Sequence, residues 1–228
     1  MRLKYDSGNV ISPKVHQIGV LALGSPLENH GSVLPIDTDS KIASYIALNS
    51  SIKTGAAFIG IIPAGTEYSY VEHGIHLKKE DIINNQIIPF IKNNKEKLQL
   101  EKIVIVNAHG GNNLIQPEIE YIEKKTKTQI IFNNSIIENE DAHASTVELS
   151  MGKALGIADI NRLDEHKDTI LHPEVAMIGL KKARINNKEI DNEAKIVEEN
   201  GFKIDETHGK YLLDNAIENV IKDIKKLI

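Results

Sequence analysis

Short apolar runs alternate along the chain with longer segments in which apolar residues recur every three or four positions. The apolar runs predict four buried strands, at 18–23, 57–62, 102–106 and 129–133. The helical spacing predicts helices at 38–53, 81–93, 113–125, 147–155 and 211–228. Strands that alternate with helices are typical of βαβ units, so we expect an α/β fold with a mainly parallel central sheet flanked by helices.

Composition and charge narrow the class of protein. The chain has 228 residues, 41% hydrophobic and 26% charged, as expected for one globular domain spanning 1–228. The net charge of -5, without a stripe of Lys and Arg, argues against nucleic acid as a partner and favours a small molecule. The mixed charges of 181–199 indicate a solvated helix face rather than an interaction tail.

Residue types also bear on location and on metal chemistry. No stretch approaches the ~20 apolar residues of a membrane span, and residues 1–10 lack the apolar core of a signal peptide. We therefore expect a cytoplasmic protein with no membrane partner. The chain has no cysteine, which leaves His, Asp and Glu as the side chains available to bind a metal.

The first group of candidate metal ligands follows the first predicted strand. Glu28 and His30 are two residues apart, so in an extended segment both side chains project to one face. Asp39 lies in the first turn of the next helix, where a carboxylate is stabilised and can bridge two cations, and Asp37 is a competing ligand or an N-cap. Taken alone, these polar residues could equally satisfy turns and caps.

The second group lies where the third predicted strand ends and a helix begins. His109 is followed by Gly110, Gly111 and Asn112. Open α/β sheets bind ligands at this edge, and the glycines let the backbone approach a ligand such as a phosphate, which the amides of the helix N-terminus can bind. The alternative is a tight strand-to-helix turn with His109 buried in the core.

The third group follows the fourth strand. Ser145 and Glu148 have the S-x-x-E spacing of a capping box, but capping gives no reason for His143 just upstream. We therefore expect a catalytic or ligand role for His143. A further group around His73 and His76, after the second strand, could be mistaken for another metal site, and we favour substrate contact or a lid.

Together, the segments Glu28-Asn29-His30-Gly31, Asn107-Ala108-His109-Gly110-Gly111-Asn112 and His143-Ala144-Ser145-x-x-Glu148 resemble the creatininase (creatinine amidohydrolase) family. The resemblance implies a three-layer creatininase-like fold and a metal-dependent amidohydrolase with two divalent metals per subunit. By this resemblance Glu28 and His109 bind one metal, His30 binds the other, and Asp39 bridges them. Iron(II) is the implied native metal, with manganese or zinc as substitutes.

Within the family the chain most resembles an archaeal branch that removes a formyl group from a phosphorylated pyrimidine nucleotide. Our hypothesis for the mechanism is that His143 or Glu148 protonates the departing amine. The resemblance also implies that the subunits form a homo-oligomer. The expected substrate contacts are Gly110, Gly111, Asn112 and His73, and the candidate phosphate-binding cations are Lys41 and Arg162.

Two departures from creatininase itself limit the resemblance. Creatininase has a glutamate two residues after the histidine of its second motif, where this chain has Gly111, so the second metal could bind more weakly or Glu148 could compensate. The chain has no tryptophan, whereas tryptophans shape the creatinine pocket, so creatinine is not the expected substrate. Alternatives are an amidohydrolase acting on another amide or a peptide, and a metal-binding module without catalysis.

Overall fold

Four parallel strands form the central sheet of the protein. The structure is a computed structural model, and it describes residues 3–139 and 141–228. The sheet order is β2-β1-β3-β4, and the strands are β1 (Ile18–Gly24), β2 (Ala57–Pro63), β3 (Lys102–Asn107) and β4 (Gln129–Asn133). Each apolar run named above forms one of these strands. The expected parallel sheet is confirmed, and the first two residues of the N-terminal segment considered above lie outside the described residues.

The register of the sheet brings the ends of three strands together. Leu23 of β1 pairs with Ile62 of β2 on one side and with Asn107 of β3 on the other. Because the strands are parallel, their carboxyl ends meet at one edge, where open α/β sheets bind ligands. The loops that follow β1, β2 and β3 therefore start beside one another.

Helices cover both faces of the sheet. They are α1 (Thr38–Thr54), α2 (Lys79–Asp81), α3 (Ile88–Leu98), α4 (Ile119–Thr126), α5 (Thr146–Ala154), α6 (Leu163–His166), α7 (Lys181–Asn186), α8 (Lys188–Asn200) and α9 (Glu206–Lys226). No helix among the residues 3–139 and 141–228 is long and apolar enough to cross a membrane.

Alternate residues of β1 enter two separate apolar cores. Val20 and Ala22 pack with α1, α5 and α9 on one face, and Leu21 and Leu23 pack with α3 and α4 on the other. Since successive side chains of a strand point to opposite faces, one strand can supply both cores. The result is a three-layer helix–sheet–helix arrangement, as expected.

Two predicted crossover helices are less regular than their spacing suggests. The helix expected at 81–93 contains a π-helix (Ile82–Ile87) before α3, because Pro89 has no N–H and its ring needs a wider preceding turn. The helix expected at 113–125 begins as a 3-10 helix (Gly110–Glu118) that contains Pro117, and it becomes α-helical only afterwards.

The charged segment 181–199 forms two helices rather than one. Asn187 separates α7 from α8, and its side-chain oxygen accepts hydrogen bonds from the N–H groups of Glu189 and Ile190. Most of the charged residues here are exposed, while Ala194 and Val197 anchor α8 to the rest of the protein. One face of α8 also lines the main cavity described below.

Candidate active site

Four candidate metal ligands meet at the carboxyl edge of the sheet. Glu28 and His30 lie in the loop after β1, Asp39 in the first turn of α1, and His109 directly after β3. Each is at most 4% exposed, whereas Asn29, between the first two, faces solvent. The two-residue spacing thus turns Glu28 and His30 inward together, as expected for an extended segment.

Asp39 lies between the two histidines. Its Oδ1 is 3.1 Å from His30 Nε2, and its Oδ2 is 3.0 Å from His109 Nδ1. Glu28 approaches the same two rings, with Oε1 3.1 Å from His109 Nδ1 and Oε2 4.0 Å from His30 Nε2. A carboxylate with one oxygen facing each of two imidazoles has the arrangement needed to bridge a pair of cations.

Backbone carbonyls orient both imidazole rings. His109 Nε2 donates to the Thr66 carbonyl at 2.8 Å, and His30 Nδ1 donates to the Glu28 carbonyl at 3.1 Å. These partners assign the tautomers and leave His109 Nδ1 and His30 Nε2 free to face the carboxylates. Metal-binding histidines characteristically donate their other N–H to such an oxygen.

The electrostatics of this group call for positive charge. Burial lowers the pKa of both histidines, but Glu28 and Asp39 outweigh it, raising the pKa of His30 to about 10 and that of His109 well above its usual value. Burial raises the pKa of Glu28, yet His109 and His76 hold it well below its usual range. The buried Glu28 Oε2 has no hydrogen-bond partner among the described residues. Imidazole and carboxylate ligands with an unsatisfied buried oxygen fit divalent cations.

Three more histidines surround this group. His76 Nε2 lies 2.6 Å from Glu28 Oε1. The His143 ring lies 4.5 Å from that of His30 and 4.4 Å from that of His73, and its Nε2 donates to the Asn29 carbonyl. Burial, then the neighbouring histidine charge, lowers the pKa of His73 to about 2 and that of His143 to about 3, so both rings are neutral.

Glu148 lies on the α5 side of the site. It is 5% exposed, and ligand atoms of Glu148, His30 and His143 lie within 4.8 Å of one another. Its Oε2 accepts a hydrogen bond from the Ala144 N–H at 2.6 Å. Burial raises the pKa of Glu148 to about 7, although the charge of His30 opposes the shift.

The predicted capping box does not form. Ser145 occupies the N-cap position of α5, but its side chain makes no capping hydrogen bond. Asp141 Oδ1 instead accepts from the Val147 N–H at 3.1 Å, and Glu148 reaches Ala144 rather than Ser145. Both halves of this prediction were wrong, because an upstream carboxylate reaches the same helix end and Glu148 accepts from the residue before the N-cap.

A cavity of about 440 Å³ opens onto the site, a volume suited to a small-molecule ligand. Asp39, His73, His109, His143 and Glu148 lie in its wall together with Gly110 and Gly111. Asn112 is fully buried and hydrogen-bonds the loop after β2 through both side-chain atoms, whereas Asn113 lines the cavity.

The two candidate phosphate-binding cations lie elsewhere. Lys41 pairs with Asp37 and lines a different cavity, and Asp37 occupies the N-cap position of α1 without a capping bond. Arg162 pairs with Glu165 on the surface. The described residues that line the main cavity include no Lys or Arg.

Comparison with known proteins gives the family. The sequence profile of creatininase, described as creatinine amidohydrolase, matches residues 12–224. The chain belongs to the creatininase family. It is 55% identical over 228 residues to the 2-amino-5-formylamino-6-ribosylaminopyrimidin-4(3H)-one 5'-monophosphate deformylase of Methanosphaera stadtmanae, and the match covers 100% of this chain and 98% of that protein.

Solved creatininases share the fold. A glutamate-to-glutamine creatininase mutant described as Zn-Zn type superposes with a TM-score of 0.62 at 12% identity, covering 91% of this chain and 90% of that one. A structure described as creatininase Mn gives 0.57 at 14% identity, covering 97% and 92%. Divalent metals are therefore used within the family.

The position of Gly111, where creatininase was expected to have a glutamate, is closed to any side chain. A Cβ atom there would lie 2.1 Å from the Thr66 carbonyl oxygen and 2.9 Å from the Glu67 carboxyl carbon. The loop after β2 thus fills the space that a residue-111 side chain would need.

Sequence reasoning missed Glu67 and gave His76 no part in the ligand group. The Glu67 side chain is 9% exposed, with Oε2 3.8 Å from His73 Nε2 and 3.9 Å from His109 Nε2. Glu67 and His76 both belong to the loop after β2. The available signal was their position after a strand that ends at the same sheet edge as β1 and β3.

Proposed function

We propose that this chain is a metal-dependent amidohydrolase that removes the formyl group from 2-amino-5-formylamino-6-ribosylaminopyrimidin-4(3H)-one 5'-monophosphate in the cytoplasm. The observation that carries the hydrolase assignment is the buried Asp39 carboxylate shared between His30 and His109, with Glu28 beside both. The substrate assignment is supported by the full-length similarity to a protein named for that deformylation.

Glu28, His30, Asp39 and His109 would hold two divalent cations per subunit. Their nitrogen and oxygen ligands suit iron(II), manganese and zinc, and the resemblance to the archaeal branch supports iron(II). Bound there, the cations would lower the pKa of water and polarise a carbonyl oxygen. Lowering the pKa of water and polarising a carbonyl oxygen both require positive charge, which the two buried carboxylates cannot supply. The site therefore depends on metal.

Glu148 is our candidate proton carrier. Because its Oε2 is held by the Ala144 N–H, Oε1 is free to take the proton that water loses as its oxygen adds to the formyl carbon. The same oxygen returns the proton to the amide nitrogen as the C–N bond breaks, which yields formate and the amine. His143 is neutral, and its bond to Asn29 leaves Nδ1 as an acceptor for substrate.

The substrate would occupy the main cavity. We place its phosphate near the backbone of Gly110 and Gly111, because a side chain added at Gly110 would meet open space. His73, in the same wall, is a candidate substrate contact.

The proposal includes a homo-oligomer. β2 is an edge strand of the sheet, and its Phe58 is 38% exposed, as is Tyr45 on the neighbouring α1. Unpaired strand edges with apolar side chains favour association with another chain. Light scattering checks this against the 25.3 kDa monomer.

The proposed function is tested with protein purified anaerobically and loaded with iron(II). We expect formate release from the formylamino nucleotide, and metal content near two per chain by elemental analysis. Asp39→Asn should lose metal, and its kcat/KM should fall by roughly 100-fold or more, because metal binding supplies several kcal/mol of transition-state stabilisation.

Asp37→Asn is the matched control. Asp37 lies two residues away, is about 41% exposed in its side chain and pairs with Lys41, so metal content and turnover should not change. Wild-type protein that binds metal but releases no formate from this nucleotide would refute the substrate assignment. Full turnover by Asp39→Asn would refute the metal assignment.

A further inference from the structure

One wall of the main cavity is formed by α8. Ile190 and Glu193 are three residues apart and so are neighbours on the helix surface, and both line the cavity together with Glu189 and the N-cap residue Asn187. Ala194 is fully buried and Val197 is 7% exposed, so α8 is held firmly in place. A side chain on this face is therefore positioned by a packed helix rather than by a loop.

Glu193 is an uncompensated carboxylate on that face. It is partly buried, and no described residue donates a hydrogen bond to it or forms an ion pair with it. Burial, followed by the negative charges of Glu189 and Asp141, raises its pKa. Two hydrogen-bond donors from a ligand would therefore be stabilised at this point of the cavity.

An apolar surface lies beside Glu193. Val71, Met177 and Ile190 pack in one cluster and all line the cavity. Ala176 and Met177 have φ angles of 49° and 57°, a left-handed conformation that is costly for residues with a Cβ. Such strain persists where the surrounding structure requires it, often beside ligands. The surface offers a flat heterocycle an apolar contact next to a carboxylate.

The proposed substrate carries a matching polar edge. In a 2-aminopyrimidin-4(3H)-one ring, the N3–H and the 2-amino group donate in the same direction, and a carboxylate can accept from both at once. The 5-formylamino group lies across the ring from the 2-amino group. A carboxylate that recognises the donor edge must therefore sit away from the hydrolytic centre but in the same cavity.

We propose that Glu193 recognises this edge, accepting one hydrogen bond from N3–H and one from the 2-amino group. This rests on the proposed function, and it makes Glu193 a specificity-determining residue outside the metal centre. The same donor edge occurs in guanine, and hypoxanthine lacks only the amino group. GMP and IMP are thus a matched pair of probes in which the ribose and phosphate contributions cancel.

The test measures GMP and IMP binding to metal-loaded protein by calorimetry. Wild type should bind GMP roughly 10-fold or more tightly than IMP, the range expected for a charge-assisted hydrogen bond. Glu193→Gln should reduce this ratio towards one. Glu199→Gln, six residues later on the same helix, exposed and outside the cavity wall, is the control and should keep the wild-type ratio.

Formate release separates this inference from the proposed function. Glu193→Gln should raise KM for the formylamino nucleotide about tenfold, with kcat within a few-fold of wild type, because no metal ligand changes. Absent or equal binding of GMP and IMP by wild type overturns the role of Glu193, as does a ratio lost in Glu199→Gln instead. Absence of formate with wild type overturns the proposed function, whatever the GMP result.

Discussion

At the scale of single residues, two buried carboxylates acquire opposite properties from their neighbours. Hydrogen bonds and charge from His109 and His76 hold the pKa of Glu28 well below its usual range. Glu148 accepts a hydrogen bond from a single backbone amide, and burial raises its pKa to about 7. Where the surroundings shift the pKa values of two carboxyl groups in opposite directions, the ionised group suits cation binding and the other suits proton transfer.

Replacing Glu148 by Gln tests this division of roles. We expect kcat for formate release to fall by roughly 100- to 10,000-fold, the usual contribution of a positioned general acid or base. Metal content, measured by elemental analysis, should stay at the wild-type level. Loss of one metal from the variant would contradict the proton-carrier role and would make Glu148 a ligand, as its position beside His30 and His143 also allows.

At the scale of elements, the start of α5 shows how a cap can come from outside the local motif. Ser145 has the right residue type and spacing for a capping box, yet its side chain makes no capping bond. Asp141, six residues before Val147, accepts the N–H of that residue instead. The cap matters for the site because α5 carries Glu148 in its first turn.

The matched variants Asp141→Ala and Ser145→Ala should differ in stability. Loss of a capping side chain costs about 1 kcal/mol, so Asp141→Ala should lower the free energy of unfolding by about that amount in urea titrations. Asp141→Asn keeps an acceptor and should recover part of the loss. An equal or larger loss in Ser145→Ala would show that the serine hydroxyl is the effective cap.

At the scale of the whole molecule, His166 joins distant segments. Its Nε2 donates to the Ala144 carbonyl at 2.9 Å, just before α5, and its Nδ1 accepts from the Val33 N–H at 3.4 Å, in the loop after β1. The ring is fully buried, and burial is the largest cause of its lowered pKa. The folded protein therefore requires the neutral ring.

This requirement makes stability depend on pH. The pKa of His166 is lower in the folded state than in the unfolded chain, where a histidine has a pKa of about 6.5. Below that pH the unfolded chain therefore binds more protons than the folded protein. The stability that the neutral ring contributes is complete above that pH and is lost as the pH falls. We expect the difference in unfolding free energy between wild type and His166→Gln to shrink from pH 8 to pH 5. Urea titrations across that range measure it, and a constant difference would contradict the assignment.

Much of the fold could be predicted because its strongest signals are local. A strand of a parallel sheet covered on both faces must be apolar throughout, so the four runs were recognisable without neighbours. The three motifs could also be recognised as a family resemblance, because each keeps its characteristic residues within a short stretch of chain. The spacing of apolar residues does not predict the π-helix before Pro89 or the division of 181–199 at Asn187. The first depends on the missing N–H of proline, and the second on a side-chain cap.

The amino-acid sequence by itself determined the layered α/β fold and the ligand types at the sheet edge, because burial and residue chemistry act over short stretches of chain. Only the tertiary structure decided that His76 contacts Glu28, that the loop after β2 fills the space of a residue-111 side chain, and that α8 brings Glu193 to the cavity. These contacts join segments from different parts of the chain, and their distances are set by packing, which no local pattern encodes.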